Sequence, residues 1–218
     1  MVTNISNLHP FSNDSNSTPK QVDSSKYNSI FDVNNDGQIL GYEKMVQSET
    51  KIFETENGFL IELGAVRINI DNADINNFKL DIEKAPYDYV LRNLKTNSMI
   101  QFDDALIGDK ETKYGDFSIK YDEETSTETI SINNYLKGNA PLDDGLTIKV
   151  GNVTNSEINI ENSSIRKIDT RGAEHADINL SNCTGDGKFL SKGAVYCNNT
   201  DDIKNFENCE KIDIKNKK

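Results

Sequence analysis

The chain has 218 residues, with 36 acidic and 24 basic side chains and a formal net charge of −12 at pH 7. This acidity disfavours nucleic acid and anionic membrane surfaces as partners, because their phosphates would repel the protein, whereas it favours cations and keeps the protein soluble. No apolar run approaches the ~20 residues that cross a bilayer, so we expect no membrane span. Three cysteines allow at most one disulfide, and none forms the CxxC pair of a zinc site.

Residues 1–22 are predicted to be a disordered tail rich in Ser and Asn. This segment has two prolines and no apolar period that could offset the entropic cost of ordering the backbone. Met1–Lys20 also lacks a basic start and an apolar centre, so no secretory signal is visible. The localisation therefore stays open, and an extracellular or cell-surface location would require another export route.

The most informative motif lies in residues 23–50, at Asp32-Val33-Asn34-Asn35-Asp36-Gly37-Gln38-Ile39-Leu40-Gly41-Tyr42-Glu43. A hard cation such as Ca²⁺ takes about six to eight oxygen ligands, and this spacing arranges oxygens around one point. Gly37 permits the sharp bend, because positive φ costs glycine little. We predict five ligands, with Gln38 acting through its main-chain carbonyl and Glu43 through both carboxylate oxygens: Asp32, Asn34, Asp36, Gln38 and Glu43.

This loop resembles an EF-hand, over about Ser24 to Thr50. The resemblance implies a helix that starts at Asp23 or Ser24 and runs to Phe31, the calcium loop, and a second helix from about Gly41 to Glu49. A chance match by an Asn/Asp-rich surface turn is the alternative.

The chain departs from the EF-hand family in two respects. Lys44 occupies a usually apolar position, and no second loop follows, since Asp71-Asn72-Ala73-Asp74 continues to Asn76 where the glycine should stand. A lone hand must pack on another part of the chain or pair with another copy.

Residues 51–140 are predicted to be β-rich. Lys51–Thr55 and Phe59–Leu63 lie on either side of Glu56-Asn57-Gly58, and Asn-Gly between apolar runs is the strongest short-range hairpin signal. Short alternating segments then recur without a convincing helical period. They predict further strands at Arg67–Ile70, Phe78–Ile82, Tyr89–Leu91, Met99–Phe102, Phe117–Tyr121 and Thr129–Ile132.

Residues 141–218 carry short strand-like segments spaced ten residues apart, separated by turn-forming Asn, Ser, Gly and Thr. The spacing weakens at Lys188-Phe189-Leu190 and returns at Lys211–Ile214. The best matches are Thr147–Val150, Glu157–Ile160, Lys167–Thr170 and Asp177–Leu180. This pattern resembles a right-handed parallel β-helix, which implies a β-solenoid of stacked coils with two or three such strands each.

An antiparallel meander or sandwich remains the alternative fold, since it also places short strands about 8–12 residues apart. The predicted hairpin favours it for residues 51–140. Overall we predict a mainly β fold that follows a short helix-loop-helix.

The sequence does not indicate an enzyme. His9 lies in the tail, and His175 lies in a predicted polar turn, Arg171–Ala176, where a lone histidine is more often a surface residue than a catalytic one. No nucleophile or phosphate-loop motif is present. A glycosidase-type carboxylate pair stays open, but adjacent acids in turns are usually solvated. These pairs are Asp103-Asp104, Glu123-Glu124, Asp143-Asp144 and Asp201-Asp202.

We expect a calcium-binding, noncatalytic β protein whose ion stabilises or docks the hand on a β scaffold or recognition region. The affinity expected for one unpaired loop is about 10⁻⁵ to 10⁻³ M. Expected partners are calcium and, through the β region, protein or polysaccharide.

Two other functions stay open. A carbohydrate-binding module or small β-helix enzyme is disfavoured by the missing tryptophan and favoured by eight tyrosines and nine phenylalanines. The Asp-Val-Asn-x-Asp-Gly run is also similar to the loops of dockerin modules, which attach enzymes to a scaffold but carry two such loops.

Overall fold

A computed structural model describes residues 18–64, 66–71, 73–84, 88–103, 115–135, 146–184, 188–190, 194–198, 205–207 and 211–215. The fold is mainly β, as the sequence predicts. The helical elements in this part of the chain are a 3₁₀ helix at Ser24–Ile30, one α-helix, α1, at Gly41–Glu49, and a 3₁₀ turn at Ile75–Asn77. None of the described helices is long and apolar enough to cross a membrane.

Seventeen strands make up the rest of the described regular structure. They are β1 Lys20–Val22, β2 Thr50–Thr55, β3 Gly58–Leu63, β4 Val66–Asp71, β5 Phe78–Lys84, β6 Asp88–Asn93, β7 Ser98–Asp103, β8 Asp116–Asp122, β9 Thr127–Asn133, β10 Leu146–Lys149, β11 Val153–Glu161, β12 Ile165–Asp169, β13 Ala173–Ser181, β14 Lys188–Leu190, β15 Ala194–Asn198, β16 Asn205–Glu207 and β17 Lys211–Lys215.

The strands form two mixed sheets. The first sheet has the order β1-β2-β3-β4-β8-β9-β11-β13-β15-β17, and the second has the order β16-β14-β12-β10-β7-β6-β5. From β10 onward, successive strands alternate between the two sheets. The predicted strands of residues 51–140 and 141–218 therefore exist, and they share the same two sheets.

Antiparallel pairing dominates up to β9. The predicted hairpin is confirmed, because β2 pairs with β3 and Thr55 faces Gly58 across the turn. Gly58 has φ +149°, and a Cβ at this position would lie 2.0 Å from the carbonyl oxygen of Ile70 on β4. A side chain would therefore push β4 away, so this turn requires glycine for tertiary reasons as well as local ones.

Parallel pairing dominates after β10. In the second sheet Ile148 of β10 faces Ile168 of β12, and in the first sheet Ile158 of β11 faces Ile178 of β13. The partners in these two pairs are thus twenty residues apart along the chain. The ten-residue spacing in the sequence corresponds to the alternation of strands between the sheets.

The core lies between the two sheets. In β9 burial alternates strictly, with Glu128, Ile130 and Ile132 buried and their neighbours partly exposed. The sheets meet through aromatic rings, since Phe102 of β7 and Phe117 of β8 pack edge to face with centroids 5.3 Å apart. The helical segment contributes to this same core, which includes Ile30, Phe31 and Val46.

Asparagines occupy the corner after three strands of the first sheet. Asn134, Asn162 and Asn182 follow β9, β11 and β13 and have φ of 58°, 49° and 51°. Asparagine tolerates this left-handed conformation better than most residues do. Their side chains also stack, since Asn162 Nδ2 donates to Asn134 Oδ1 at 3.4 Å and Asn182 Nδ2 donates to Asn162 Oδ1 at 3.2 Å. Part of the high Asn content is therefore structural.

Two local expectations need correction. Most of the predicted disordered tail, residues 1–17, lies outside the described residues, but Lys20–Val22 form β1, which pairs with β2 because Val22 packs against the core. His175, expected in a turn, lies within β13, and its side chain is exposed on the outer face of the sheet. The small residues Ala173 and Ala176 fill the inward positions around it, which lets the strand begin earlier than the turn-like composition indicates.

Candidate metal centre

α1 has the predicted bounds, whereas the first helix is a 3₁₀ helix that ends at Ile30, one residue before the predicted end at Phe31. Asp23 caps the 3₁₀ helix Ser24–Ile30, and its carboxylate accepts from Ser25 N at 3.0 Å. This bond is the main reason why the pKa of Asp23 is lowered. α1 begins at Gly41 as expected, so it contains the last three of the twelve loop positions. The chain therefore forms a short helix, a loop and a second helix in the predicted order.

The first half of the loop is held by its own side chains. Asp32 accepts hydrogen bonds from Asp36 N at 3.1 Å and Gly37 N at 3.0 Å, one on each carboxylate oxygen. Asn34 Oδ1 accepts from Asp36 N at 2.9 Å, and Asp36 Oδ1 accepts from Gln38 N at 2.8 Å. Asn35 and Gly37 provide the bends, with φ of 58° and 79°. The side-chain oxygens of positions one, three and five thus lie around one tight turn.

Glu43 closes the loop from the first turn of α1. Its Oε1 accepts from Val33 N at 3.0 Å, and its Oε2 accepts from Leu40 N at 3.3 Å. Because Val33 and Leu40 lie near opposite ends of the loop, one carboxylate joins both ends. The partial positive charge at the N-terminus of α1 also stabilises this carboxylate. Glu43 therefore lies beside the turn that carries the other predicted ligands.

The donor set suits a hard cation, because the predicted side-chain ligands offer only carboxylate and amide oxygens. Each carboxylate oxygen that accepts one amide hydrogen bond retains a further lone pair. In the described part of the chain, however, no three His, Cys, Asp or Glu side chains converge closely enough to hold a metal ion. Binding would therefore require the carboxylates of Asp32, Asp36 and Glu43 to rotate toward a common point. Asn34 and Asp36 are exposed, so such rotation is sterically open to them.

A buried lysine of β5 bonds the end of the first helix and the start of the candidate loop. Lys79 is only 7 % exposed, and its ammonium donates to the main-chain oxygens of Ser29 at 2.7 Å and Asp32 at 2.6 Å. A third bond, of 2.9 Å, goes to Asn35 Oδ1 in the loop. All three ammonium protons are therefore satisfied, and the positive charge lies at the carbonyl end of the 3₁₀ helix, where helix dipoles favour cations.

The helix-loop-helix segment packs on the β-sheets. Phe31 is fully buried at the end of the first helix, and Val46 of α1 is 1 % exposed. Gln47 Nε2 donates to Asn28 Oδ1 at 2.6 Å, which joins the two helices, and the hydroxyl of Tyr89 on β6 donates to Glu49 at 3.0 Å. These contacts fix α1 to the preceding helix and to β6 of the second sheet.

No protein-family model matches this chain, and no curated protein or solved structure matches it either. The calcium prediction therefore depends on the residues of the loop and on their geometry.

The other candidates from the sequence gain no support from their surroundings. The exposed His175 has Asn155 of β11 as its cross-strand neighbour. Glu123 and Glu124 lie in the exposed turn between β8 and β9, which Asp122 stabilises by accepting from Glu124 N at 2.9 Å. The pairs Asp143-Asp144 and Asp201-Asp202, and Asp104, fall outside the described residues.

Tyrosine side chains do not form an exposed row in the part of the chain whose side chains are described. Tyr89 and Tyr135 are core residues at 3 % and 2 % exposure. Tyr27 is partly buried against Phe59 with ring centroids 5.3 Å apart, and Tyr121 is also partly buried. Tyr42 is exposed, beside the calcium loop. These observations do not favour the carbohydrate-binding alternative.

Sequence patterns did not identify two buried polar residues, Lys79 and Glu128. Lys79 lies between apolar residues of β5, so alternation alone predicts a solvent-facing lysine. Glu128 shares the inward face of β9 with Ile130 and Ile132. The sequence could have indicated that Glu128 is buried, because it alternates together with the buried Ile130 and Ile132. No comparable local pattern indicates that Lys79 is buried.

Proposed function

We propose that the protein is a calcium-binding, noncatalytic β protein, in which one ion holds the N-terminal helix-loop-helix on a β scaffold. The proposed ligands are Asp32, Asn34, Asp36 and Glu43 through side-chain oxygens and Gln38 through its main-chain carbonyl. The observation that carries the proposal is the position of Glu43. Its two hydrogen bonds, to Val33 N and Leu40 N, bring a carboxylate to the turn that already holds the oxygens of Asp32 and Asn34.

We infer that calcium acts here as a structural ion and does not open a binding groove. The apolar side chains of the hand, Ile30, Phe31 and Val46, are already 0–1 % exposed in the common core. An opening hand would have to expose these residues to water, at a cost of about 1.5–3 kcal/mol for each large side chain. The bonds from Lys79 to the loop entry further oppose such a movement.

We also propose that the scaffold beyond β10 is a β-solenoid with two strands per coil. The support is the parallel register, in which Ile148 faces Ile168 in one sheet and Ile158 faces Ile178 in the other. Stacked coils of this kind bury their apolar residues on their neighbours and present flat polar faces outside. Such a face is the surface on which we expect protein or polysaccharide partners to bind.

The experiment is a calcium titration by calorimetry, with thermal melts at each calcium concentration. We expect one bound ion, a Kd of about 10⁻⁵ to 10⁻³ M and a higher melting temperature, because a ligand that binds only the folded state stabilises it. Asp32→Ala combined with Glu43→Gln should abolish both effects. No heat of binding at millimolar calcium would overturn the proposal. Binding without a shift in melting temperature would instead contradict the structural role.

A further inference from the structure

A carboxyl group lies between the two sheets without exposure to water. Glu128 of β9 is 0 % exposed. Its Oε1 accepts from Asn93 Nδ2 and Thr96 Oγ1, both at 3.0 Å, and its Oε2 accepts a short hydrogen bond from Ser98 Oγ. Since β9 belongs to the first sheet and the three donors belong to β6, β7 and their turn in the second, this single side chain joins the sheets.

The hydrogen-bond network around Glu128 extends to the corner between β10 and β11. Ser98 Oγ also accepts from Gly151 N at 2.9 Å, and Asn152 N donates to the carbonyl oxygen of Thr96 at 2.6 Å. The backbones approach so closely that a Cβ at Gly151 would lie 1.9 Å from Thr96 O. Glu128 therefore connects the mainly antiparallel part of the fold with the first corner of the mainly parallel part.

In the part of the chain that the structure describes, no counter-charge contacts the carboxyl of Glu128. Its donors Asn93, Thr96 and Ser98 are neutral. Its cross-strand partners are Ser156 on β11 and Tyr121, a titratable phenol, on β8. Lys95 and Glu123 form an ion pair on the exposed rim of the turn. Arg92 lies on the opposite face of β6 and donates to Met99 Sδ.

Burial raises the pKa of Glu128, and the hydrogen bonds from Ser98, Thr96 and Asn93 oppose this effect without cancelling it. The apolar walls of a cavity of about 10 Å³ beside the carboxyl include Phe78, Ile119 and Ile130. This volume suffices for about one water molecule. Bulk solvent does not reach the carboxyl, because Glu128 is fully buried.

We propose that Glu128 is a proton-operated latch between the two sheets, which holds the β6–β7 turn to the Gly151 corner most firmly when the carboxyl carries a proton. Ser98 can bond the carboxyl in both of its protonation states. Its hydroxyl has one proton and two lone pairs, so it can donate to the carboxylate, or accept from the carboxylic acid while still accepting from Gly151 N. The network therefore persists in both protonation states, and desolvation favours the neutral state.

The direction of the pH effect follows from linkage. A carboxyl whose pKa is raised by folding binds a proton more tightly in the folded state than in the opened state. Its contribution to stability is complete below the pKa of the opened state and is lost as the pH rises through the higher pKa of the folded state. Between these two values, opening becomes more favourable by up to about tenfold per pH unit.

The test is hydrogen exchange at the amides of Gly151 and Asn152 from pH 4 to pH 8, with a chelator present so that the calcium loop makes no contribution. We expect their protection factors, corrected for intrinsic exchange, to fall with rising pH in the wild type. In Glu128→Gln, which mimics the protonated acid, they should stay constant. Glu157→Gln, an exposed carboxylate on the neighbouring β11, is the matched control and should keep the wild-type profile.

A second measurement does not depend on any variant. A carbon-detected NMR titration of the Glu128 carboxyl in the wild type should give a midpoint above the ordinary range for glutamate. Ser98→Ala should raise this midpoint further, because it removes a hydrogen bond to the charged form. Parallel protection profiles in the wild type and Glu128→Gln, or a Glu128 midpoint at or below the ordinary value, would overturn the proposal.

Discussion

The ammonium of Lys79 lies 2.6 Å from the main-chain oxygen of Asp32, the first residue of the candidate calcium loop. The same ammonium contacts the main-chain oxygen of Ser29 in the preceding helix and Asn35 Oδ1 within the loop. One side chain of β5 therefore fixes the helix end and the loop entry together. The ammonium thus contacts the main-chain oxygen of Asp32. The carboxylate of Asp32 instead accepts hydrogen bonds from the amides of Asp36 and Gly37.

Replacing Lys79 with Met should destabilise the protein by about 2–3 kcal/mol, because two buried carbonyl oxygens would lose their donor. Chemical denaturation would measure this change. Lys51→Met is the matched control, since Lys51 is exposed on β2 and should shift stability by less than about 0.5 kcal/mol. Equal effects of the two substitutions would show that the Lys79 bonds contribute nothing beyond an ordinary surface lysine.

Glu43→Gln should weaken calcium binding at least about tenfold, because it removes one of three loop carboxylates and affinity rises with ligand charge. The amide can replace only one of the two acceptors that now bond Val33 N and Leu40 N. Calorimetry with Glu56→Gln as control tests this expectation, since Glu56 is exposed in the β2–β3 turn. Unchanged affinity in Glu43→Gln would remove this residue from the ligand set.

Asp169 provides a pH-dependent prediction in the parallel part of the fold. Hydrogen bonds from Arg171 are the main reason why its pKa lies below the ordinary 3.8, and the guanidinium is bidentate, with Nε to Oδ1 at 2.9 Å and Nη2 to Oδ2 at 2.7 Å. A lowered pKa contributes stability above the unfolded-state value, which is lost as the pH falls through the folded-state value.

Arg171→Gln should therefore cost about 1 kcal/mol near pH 6, a modest amount because Arg171 is half exposed. The difference from the wild type should shrink as the pH falls below about 4 and should vanish below the lowered pKa that Asp169 has in the folded wild type. Urea denaturation at a series of pH values measures both quantities. A difference that stays constant over the whole range would contradict the ion-pair explanation.

Gly151→Ala should be the most damaging small substitution in the corner after β10. The added Cβ would lie 1.9 Å from Thr96 O and 2.8 Å from Asn97 O, both of them main-chain atoms that cannot rotate away. We expect a loss of about 3 kcal/mol or more, measured by denaturation. Asn152→Ala, one residue further along and exposed, should cost much less. Similar losses would mean that the corner can relax.

The strands and the helix bounds around the candidate loop were predictable because both depend on local patterns. Alternation in segments such as Thr129–Ile132 reports one buried face, and the loop from Asp32 to Glu43 carries its own geometry. The direction of pairing was not predictable in this way, since a strand such as Glu157–Ile160 alternates identically in parallel and antiparallel sheets. Only tertiary contacts decide between them.

The fading of the period after Leu180 also has a physical cause. Ile158 and Ile178 face each other twenty residues apart, whereas the next pairs, Ile178 with Val195 and Val195 with Ile212, are only seventeen apart. The strands nevertheless stay in parallel register. A search for a constant period therefore loses the pattern although the pairing continues.

Polar contacts inside the core were also not predictable from the sequence, because they too depend on tertiary contacts. Lys79 and Glu128 are recognised by their partners, which come from residues about 30 to 50 positions away along the chain. A single sequence contains no local record of such contacts. The candidate loop was found from sequence because all its predicted ligands lie within twelve residues.

The change from antiparallel to parallel pairing has a consequence for biosynthesis. Hairpins such as β2–β3 and β8–β9 join neighbouring segments and can form within microseconds. Between two parallel partners, by contrast, the chain first adds a strand to the other sheet, so these pairs form between more distant segments. A chain that emerges from the ribosome with its N-terminus first therefore exposes both strands of each hairpin before it exposes β11. Each later strand then meets an edge that is already ordered, so β13 adds to β11, and β15 adds to β13, in the order of translation.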